Sequence, residues 1–146
     1  MERDLEVALG SPETYLGTAR AERRSDDGSA GRLALNRWAL DGAWSVGEEA
    51  AVLEAGSGSI AYRFQARDVN LVLAPPDSGA AIPFTVELDG RPPGDAHGVN
   101  TGESGEGVLA EPRMYQLVRS RAVGVERDFA ITFHDPGVRA YVFTFG

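Results

Sequence analysis

The sequence predicts an all-β fold, a single antiparallel β-sandwich of jelly-roll type. Three observations lead there. Short segments of alternating apolar and polar residues recur along the chain, and a period of two places one set on one face of a strand. Turn residues separate these segments at spacings of about ten residues. The chain carries 18 Gly and 8 Pro, a supply suited to many turns rather than to long helices.

The elements follow in order. Residues 1–31 read as a lead and linker segment, and residues 32–146 as the sandwich domain. Leu5, Val7 and Leu9 alternate only weakly, and residues 18–31 offer almost nothing apolar to bury, so they read as a loop. Asp26-Asp27-Gly28-Ser29 lacks the alternating acids and distal Glu of a calcium loop and reads as a plain turn. Leu33 and Leu35 give a short strand-like beat, followed by Trp38, Leu40, Trp44 and Val46. Asp41-Gly42 between them signals a hairpin or a bulge. Residues 48–53 read as a strand, since Gly47 and Gly56 bracket them too tightly for a helix.

The next segments are clearer. Ile60, Tyr62, Phe64 and Ala66 face one way, Arg63 and Gln65 the other. Val69, Leu71 and Leu73 form a strand that stops at Pro75-Pro76, and Ile82, Phe84, Val86 and Leu88 form another that closes on Asp89-Gly90. Residues 91–107 are the long irregular segment, and loops of that length in compact domains are often functional. Residues 108–110 and 114–118 supply two shorter strands. Two aromatic strands finish the chain: Phe129, Ile131 and Phe133, then Tyr141, Phe143 and Phe145, with the turn Asp135-Pro136-Gly137 between them. The last is expected to be a central strand, with all three of its aromatics facing the core.

Composition bounds the function. A chain of 146 residues suits one domain able to bury about 70% of its unfolded surface. The net charge of −8 disfavours nucleic acid and anionic membrane faces. All 14 basic residues are Arg, a bias that fits a GC-rich genome better than a function. The absence of Cys removes disulfides, thiolate metal sites and thiol catalysis from these residues. No apolar run reaches the length of a signal core or membrane span, so the chain as given is expected to be soluble, without direct membrane insertion. It would be cytoplasmic as it stands and extracytoplasmic if it belongs to a membrane-anchored parent.

Catalytic chemistry finds no support. The two histidines, His97 and His134, share no metal-ligand spacing, and no Gly-x-Ser-x-Gly elbow occurs. The glycine-rich stretch from Gly102 to Gly107 is acidic and a poor cradle for phosphate. The chain is therefore expected to have no catalytic residues, no metal site and no cofactor. Binding features are better. Trp38, Trp44 and Tyr115 are candidate aromatic platforms, and Arg91, His97, Asn100 and Arg113 lie in or beside the long loop as hydrogen-bonding groups. Trp38 and Trp44 share parity with Leu40 and Val46, which favours core anchors over platforms. The loop bearing Arg91, His97 and Asn100 reads equally as a ligand site or as a disordered loop without function; as a site, changing the three together to Ala should abolish binding and leave stability nearly untouched.

Several stretches carry a family resemblance. Ser11-Pro12-Glu13-Thr14-Tyr15-Leu16-Gly17, Asn36-Arg37-Trp38-Ala39-Leu40 with Gly42 and Trp44, and Phe64-Gln65-Ala66-Arg67-Asp68-Val69-Asn70-Leu71-Val72-Leu73 are three of them. Leu88-Asp89-Gly90, Tyr115-Gln116-Leu117-Val118 and Tyr141-Val142-Phe143-Thr144-Phe145-Gly146 complete the set. Together they resemble the C-terminal region of DipZ-type thioredoxin-like proteins. The resemblance implies a carbohydrate-binding-module or galactose-binding-like jelly roll that follows a thioredoxin domain bearing a Cys-x-x-Cys pair. That domain and its cysteines are not in this chain, so redox activity maps to no residue here. Two functions fit the resemblance: a non-catalytic module for a carbohydrate or similar polar small ligand, or an interaction module that docks on a thioredoxin-like domain or dimerises.

Overall fold

A computed structural model describes residues 10–18, 33–122 and 124–146. The expectations for residues 1–9 and 19–32, including the weak alternation of Leu5, Val7 and Leu9 and the Asp26-Asp27 turn, lie outside the described residues. Nine strands are present among the described residues: β1 (Thr14–Tyr15), β2 (Trp38–Val46), β3 (Ala51–Phe64), β4 (Asp68–Ala74), β5 (Ile82–Leu88), β6 (Glu106–Leu109), β7 (Arg113–Arg119), β8 (Arg127–Phe133) and β9 (Arg139–Phe145). Every pairing between them is antiparallel. No helix among the described residues is long and apolar enough to cross a membrane.

The strands run β6-β5-β8-β3-β9-β4-β7 in one curled sheet, with β1 on β9 and β2 on β3. The sheet folds over on itself because β3 changes partner along its length. Ala51 and Val52 pair with β9, whereas residues 58–64 pair with β8. Gly56, at φ +64, lies between the two partners. What reads in sequence as two strands, 48–53 and 59–66, is thus one long strand. Residues 47–50 form its turn from β2, with the Gly47 N–H donating to the Ala50 carbonyl at 2.9 Å.

Parity decides the core. Ile60, Tyr62, Phe64, Val69, Leu71, Leu73, Ile82, Phe84, Val86, Phe129, Ile131 and Phe133 are buried, as alternation predicts. The two halves of the curled sheet meet through rings. Tyr62 and Phe129 each contact Phe143, and Phe84 meets Tyr115 edge-on at 6.1 Å.

The final strand is central, as expected, but only partly as its alternation implies. Phe143 is fully buried, while Phe145 is half-buried and stacks on it at 6.0 Å. Tyr141 does not face the core in register with them. Leu73 pairs with Ala140 and Val72 with Val142, so Tyr141 is an extra residue and Ala140 takes the inward place.

Other departures have similar causes. Leu33 and Leu35 form no strand; they sit in a turn where Arg37 N–H donates to Ala34 O and Asn36 adopts φ +64. Asp41-Gly42 makes a bulge within β2 rather than a hairpin, with Gly42 at φ +112. Residues 11–17 are built into the sandwich: Thr14 and Leu16 are fully buried, and Thr18 N–H reaches the Gly47 carbonyl.

Candidate functional site

The long loop after β5 is an organised strap. Asp89, at φ +56, turns the chain, and its carboxylate accepts the Asp128 N–H and the Arg127 Nε–H. A single 3-10 turn spans Gly94–Ala96. Residues 97–101 then lie along the edge of β7. Gly98 N–H donates to Leu117 O and Asn100 N–H to Gln116 O, both at 3.0 Å. The Thr101 hydroxyl accepts the Gly98 N–H and donates to Leu117 O, closing the strap on an otherwise open edge.

This architecture uses most of the side chains singled out in sequence. Asn100 Oδ1 accepts the Gln116 N–H at 2.8 Å, so the side chain substitutes for a strand neighbour. His97 is half-buried, its Nδ1 2.8 Å from the Gly98 carbonyl. Tyr115 is 3% exposed; its hydroxyl donates to Glu111 O and accepts from the Ala110 and Glu111 N–H groups. Arg113 lies exposed with its guanidinium 5.6 Å from the Tyr115 ring centre and 3.5 Å from Glu111. Arg91 is exposed at the tip, held through its backbone to Leu88.

Trp38 is fully buried and presents no ring face to solvent. Trp44 is half-buried, edge-on to Phe133, with Nε1–H donating to Asp41 O at 2.8 Å. Of the seven candidates, then, Arg113 and Tyr115 touch each other. The rest serve the core or their own turns, save Arg91 at the surface.

A different constellation occupies the outer surface where β5, β6 and β8 meet. Thr85 and Glu106 are cross-strand partners, as are Pro83 and Val108. Pro83 and Val108 are exposed, Val108 by 56%, and give a small apolar step. His134, one residue past β8, is held by its N–H to the Pro83 carbonyl, and its Nε2 lies 2.8 Å from the Thr85 hydroxyl. Ser104 reaches the Glu106 carboxylate at 3.5 Å. These six residues, with Phe84 and Gly107 as floor, line a shallow depression. Among the described residues, Glu106 is its one formally charged lining residue.

Sequence reasoning read His134 as a lone surface histidine and passed over Thr85 and Glu106. Alternation does place Thr85 on an outward face, but nothing in it pairs β5 with β8. Further along the same outer face Arg63 is held protonated beyond the ordinary range, first by its hydrogen bond to Asp128. Burial works against this and Glu126 adds to it. No group of three or more His, Asp or Glu side chains arranged to hold a metal occurs among the described residues.

Comparison with known families settles what kind of domain this is. The model of the thioredoxin-like C-terminal domain matches residues 11–146. The chain belongs to that family. The match takes in β1, consistent with the burial of Thr14 and Leu16. A comparison with curated proteins found no match.

Among solved structures, the C-terminal domain is similar to a family two carbohydrate esterase from Cellvibrio japonicus. The TM-score is 0.61 at 9% identity over 94% of this chain. It is similar also to a family two carbohydrate esterase from Clostridium thermocellum in complex with cellohexaose, with TM-score 0.52 and 12% identity over 75% of this chain. The domain spans 34% and 31% of those two chains. At such identities the likeness shows the fold, a β-sandwich of the kind found in those proteins.

Proposed function

We propose that this C-terminal domain is a non-catalytic binding module for a hydroxylated ligand of the carbohydrate class, accessory to a thioredoxin-like domain. One observation carries the reading: the β5–β6–β8 depression sets an apolar step, Pro83 and Val108, beside four hydrogen-bonding side chains, Thr85, Ser104, Glu106 and His134. A sugar ring needs that mixture, since its C–H face packs on apolar surface while its hydroxyls exchange hydrogen bonds. The cellohexaose in the Clostridium thermocellum esterase structure, which shares the fold, is in keeping with it.

The surroundings of His134 support the non-catalytic reading: its Nε2 meets the Thr85 hydroxyl, and among the described residues no carboxylate hydrogen-bonds the ring. The test is calorimetric titration of oligosaccharides into the parent domain and into Thr85→Ala and His134→Ala. The parent should bind at least one neutral oligosaccharide, and each variant should bind it about tenfold more weakly with an unchanged melting temperature. A parent that binds none, or variants that bind as the parent does, would sink the proposal.

A second reading has its own observation. Tyr15, Val142, Val72 and Met114 are successive cross-strand partners over β1, β9, β4 and β7, forming an apolar row on the outer face. Met114 is 43% exposed. Such a row fits docking against an adjoining thioredoxin-like domain. In a protein carrying both domains, Met114→Lys should increase proteolysis of the segment joining them; an unchanged cleavage rate rejects docking through this face.

A further inference from the structure

Glu106 sets the charge of the depression, and the charges around it are already committed. Among the described residues no Arg lines the site. On the same outer surface Arg63 is paired with Asp128 and Glu126. Arg127, on the inward parity of β8 at its first residue, is paired with Asp89. Glu87, two residues along β5 from Thr85 and therefore on the same side of the strand, is exposed and adds a second carboxylate near the rim. The whole chain has a net charge of −8, so the wider field has the same sign. Glu106 itself lies directly across from Thr85, whose hydroxyl touches His134, so a ligand held by Thr85 and His134 must sit beside this carboxylate.

From this we infer that Glu106 is a specificity-determining residue, admitting neutral and amino-bearing glycans and turning away uronate-bearing ones. The inference rests on the carbohydrate-binding reading and names the substrate class of the same site. A neutral sugar donates hydroxyl hydrogen bonds to the carboxylate, and an ammonium group adds a charge-assisted one. A uronate meets a like charge. At about 4 Å in bulk water that repulsion alone amounts to about fivefold in affinity.

The experiment titrates the parent domain and Glu106→Gln with oligosaccharides ending in glucose, glucosamine or glucuronate, matched in length and linkage, at low salt. The parent should bind the glucuronate member at least about fivefold more weakly than the glucose member. Glu106→Gln should bring the two within about twofold, and high salt should narrow the gap in the parent, since exposed charges are screened. Glu106 is exposed, so the Gln variant is expected to fold; the salt series on the parent decides the matter independently. Equal or tighter binding of the glucuronate member by the parent, or a gap that survives both the substitution and salt, overturns the inference while leaving carbohydrate binding intact. If none of the three binds the parent, carbohydrate binding falls and this inference with it.

Discussion

The hydroxyls of Thr14 and Tyr62 meet at 2.6 Å inside the sandwich, joining β1 to the C-terminal end of β3 across 48 residues of chain. The Thr14 hydroxyl also donates to the Pro12 carbonyl at 2.9 Å. Having one proton, it must then accept from Tyr62, so the order of donation is Tyr62 to Thr14 to Pro12. Thr14→Val keeps the shape and removes the relay, leaving the buried Tyr62 hydroxyl without this acceptor. The expected loss is about 1–3 kcal/mol of stability, read from a denaturant midpoint. An unchanged midpoint would mean that the hydroxyl relay adds nothing to the stability of the sandwich.

Phe143 and Phe145 stand two residues apart on β9 and stack on each other, yet they should respond differently to truncation. Phe143 is fully buried and also meets Tyr62 and Phe129, so Phe143→Ala is expected to cost about 3–5 kcal/mol. Phe145 is half-buried, and its Ala variant should cost clearly less. Equal losses would contradict the burial difference.

The strap over β7 depends on a glycine. A Cβ at Gly98 would fall 2.1 Å from the Gln116 carbonyl oxygen, a backbone atom that cannot swing aside. Gly98→Ala should therefore lift residues 97–101 from the strand at a cost of about 1–3 kcal/mol, and speed amide exchange at Gly98 and Asn100. Gly102→Ala, whose Cβ meets nothing within 4 Å, is the control and should leave both unchanged.

Asn100 belongs to the same strap. Removing its side chain leaves the Gln116 N–H without its acceptor, so Asn100→Ala is expected to cost about 1 kcal/mol. A combined change of Arg91, His97 and Asn100 should consequently lower the melting temperature, contrary to the expectation from sequence that stability would hardly move. The melting curve of the Asn100 single variant, compared with that of Arg91→Ala, checks this directly.

With no cysteine, the purified domain should not accelerate insulin disulfide reduction above the dithiothreitol background, because exchange needs an attacking thiolate. Turnover by protein free of contaminating thioredoxin would contradict this.

Alternation in β3, β4, β5 and β8 was legible because it is a local property: successive side chains point to opposite faces whatever the partner strand. Hence the inward set from Ile60 to Phe64 and the ring row Phe129, Ile131, Phe133 could be read directly, and the family resemblance was carried by contiguous motifs. Which face is covered, and by what, depends on pairing between distant segments. Trp38 and Tyr115 are aromatic in any reading; their burial came only with the opposite half of the sheet. The bulge that displaces Tyr141 exists because β4 and β9 differ in register, a relation neither strand carries alone. Thr85 and His134 lie 49 residues apart and become neighbours when β5 lies beside β8, and the pairing of β6 with β5 sets Glu106 across from Thr85. Side-chain parity is written in single strands, but a site is made of several, and only the folded sheet brings them to one surface.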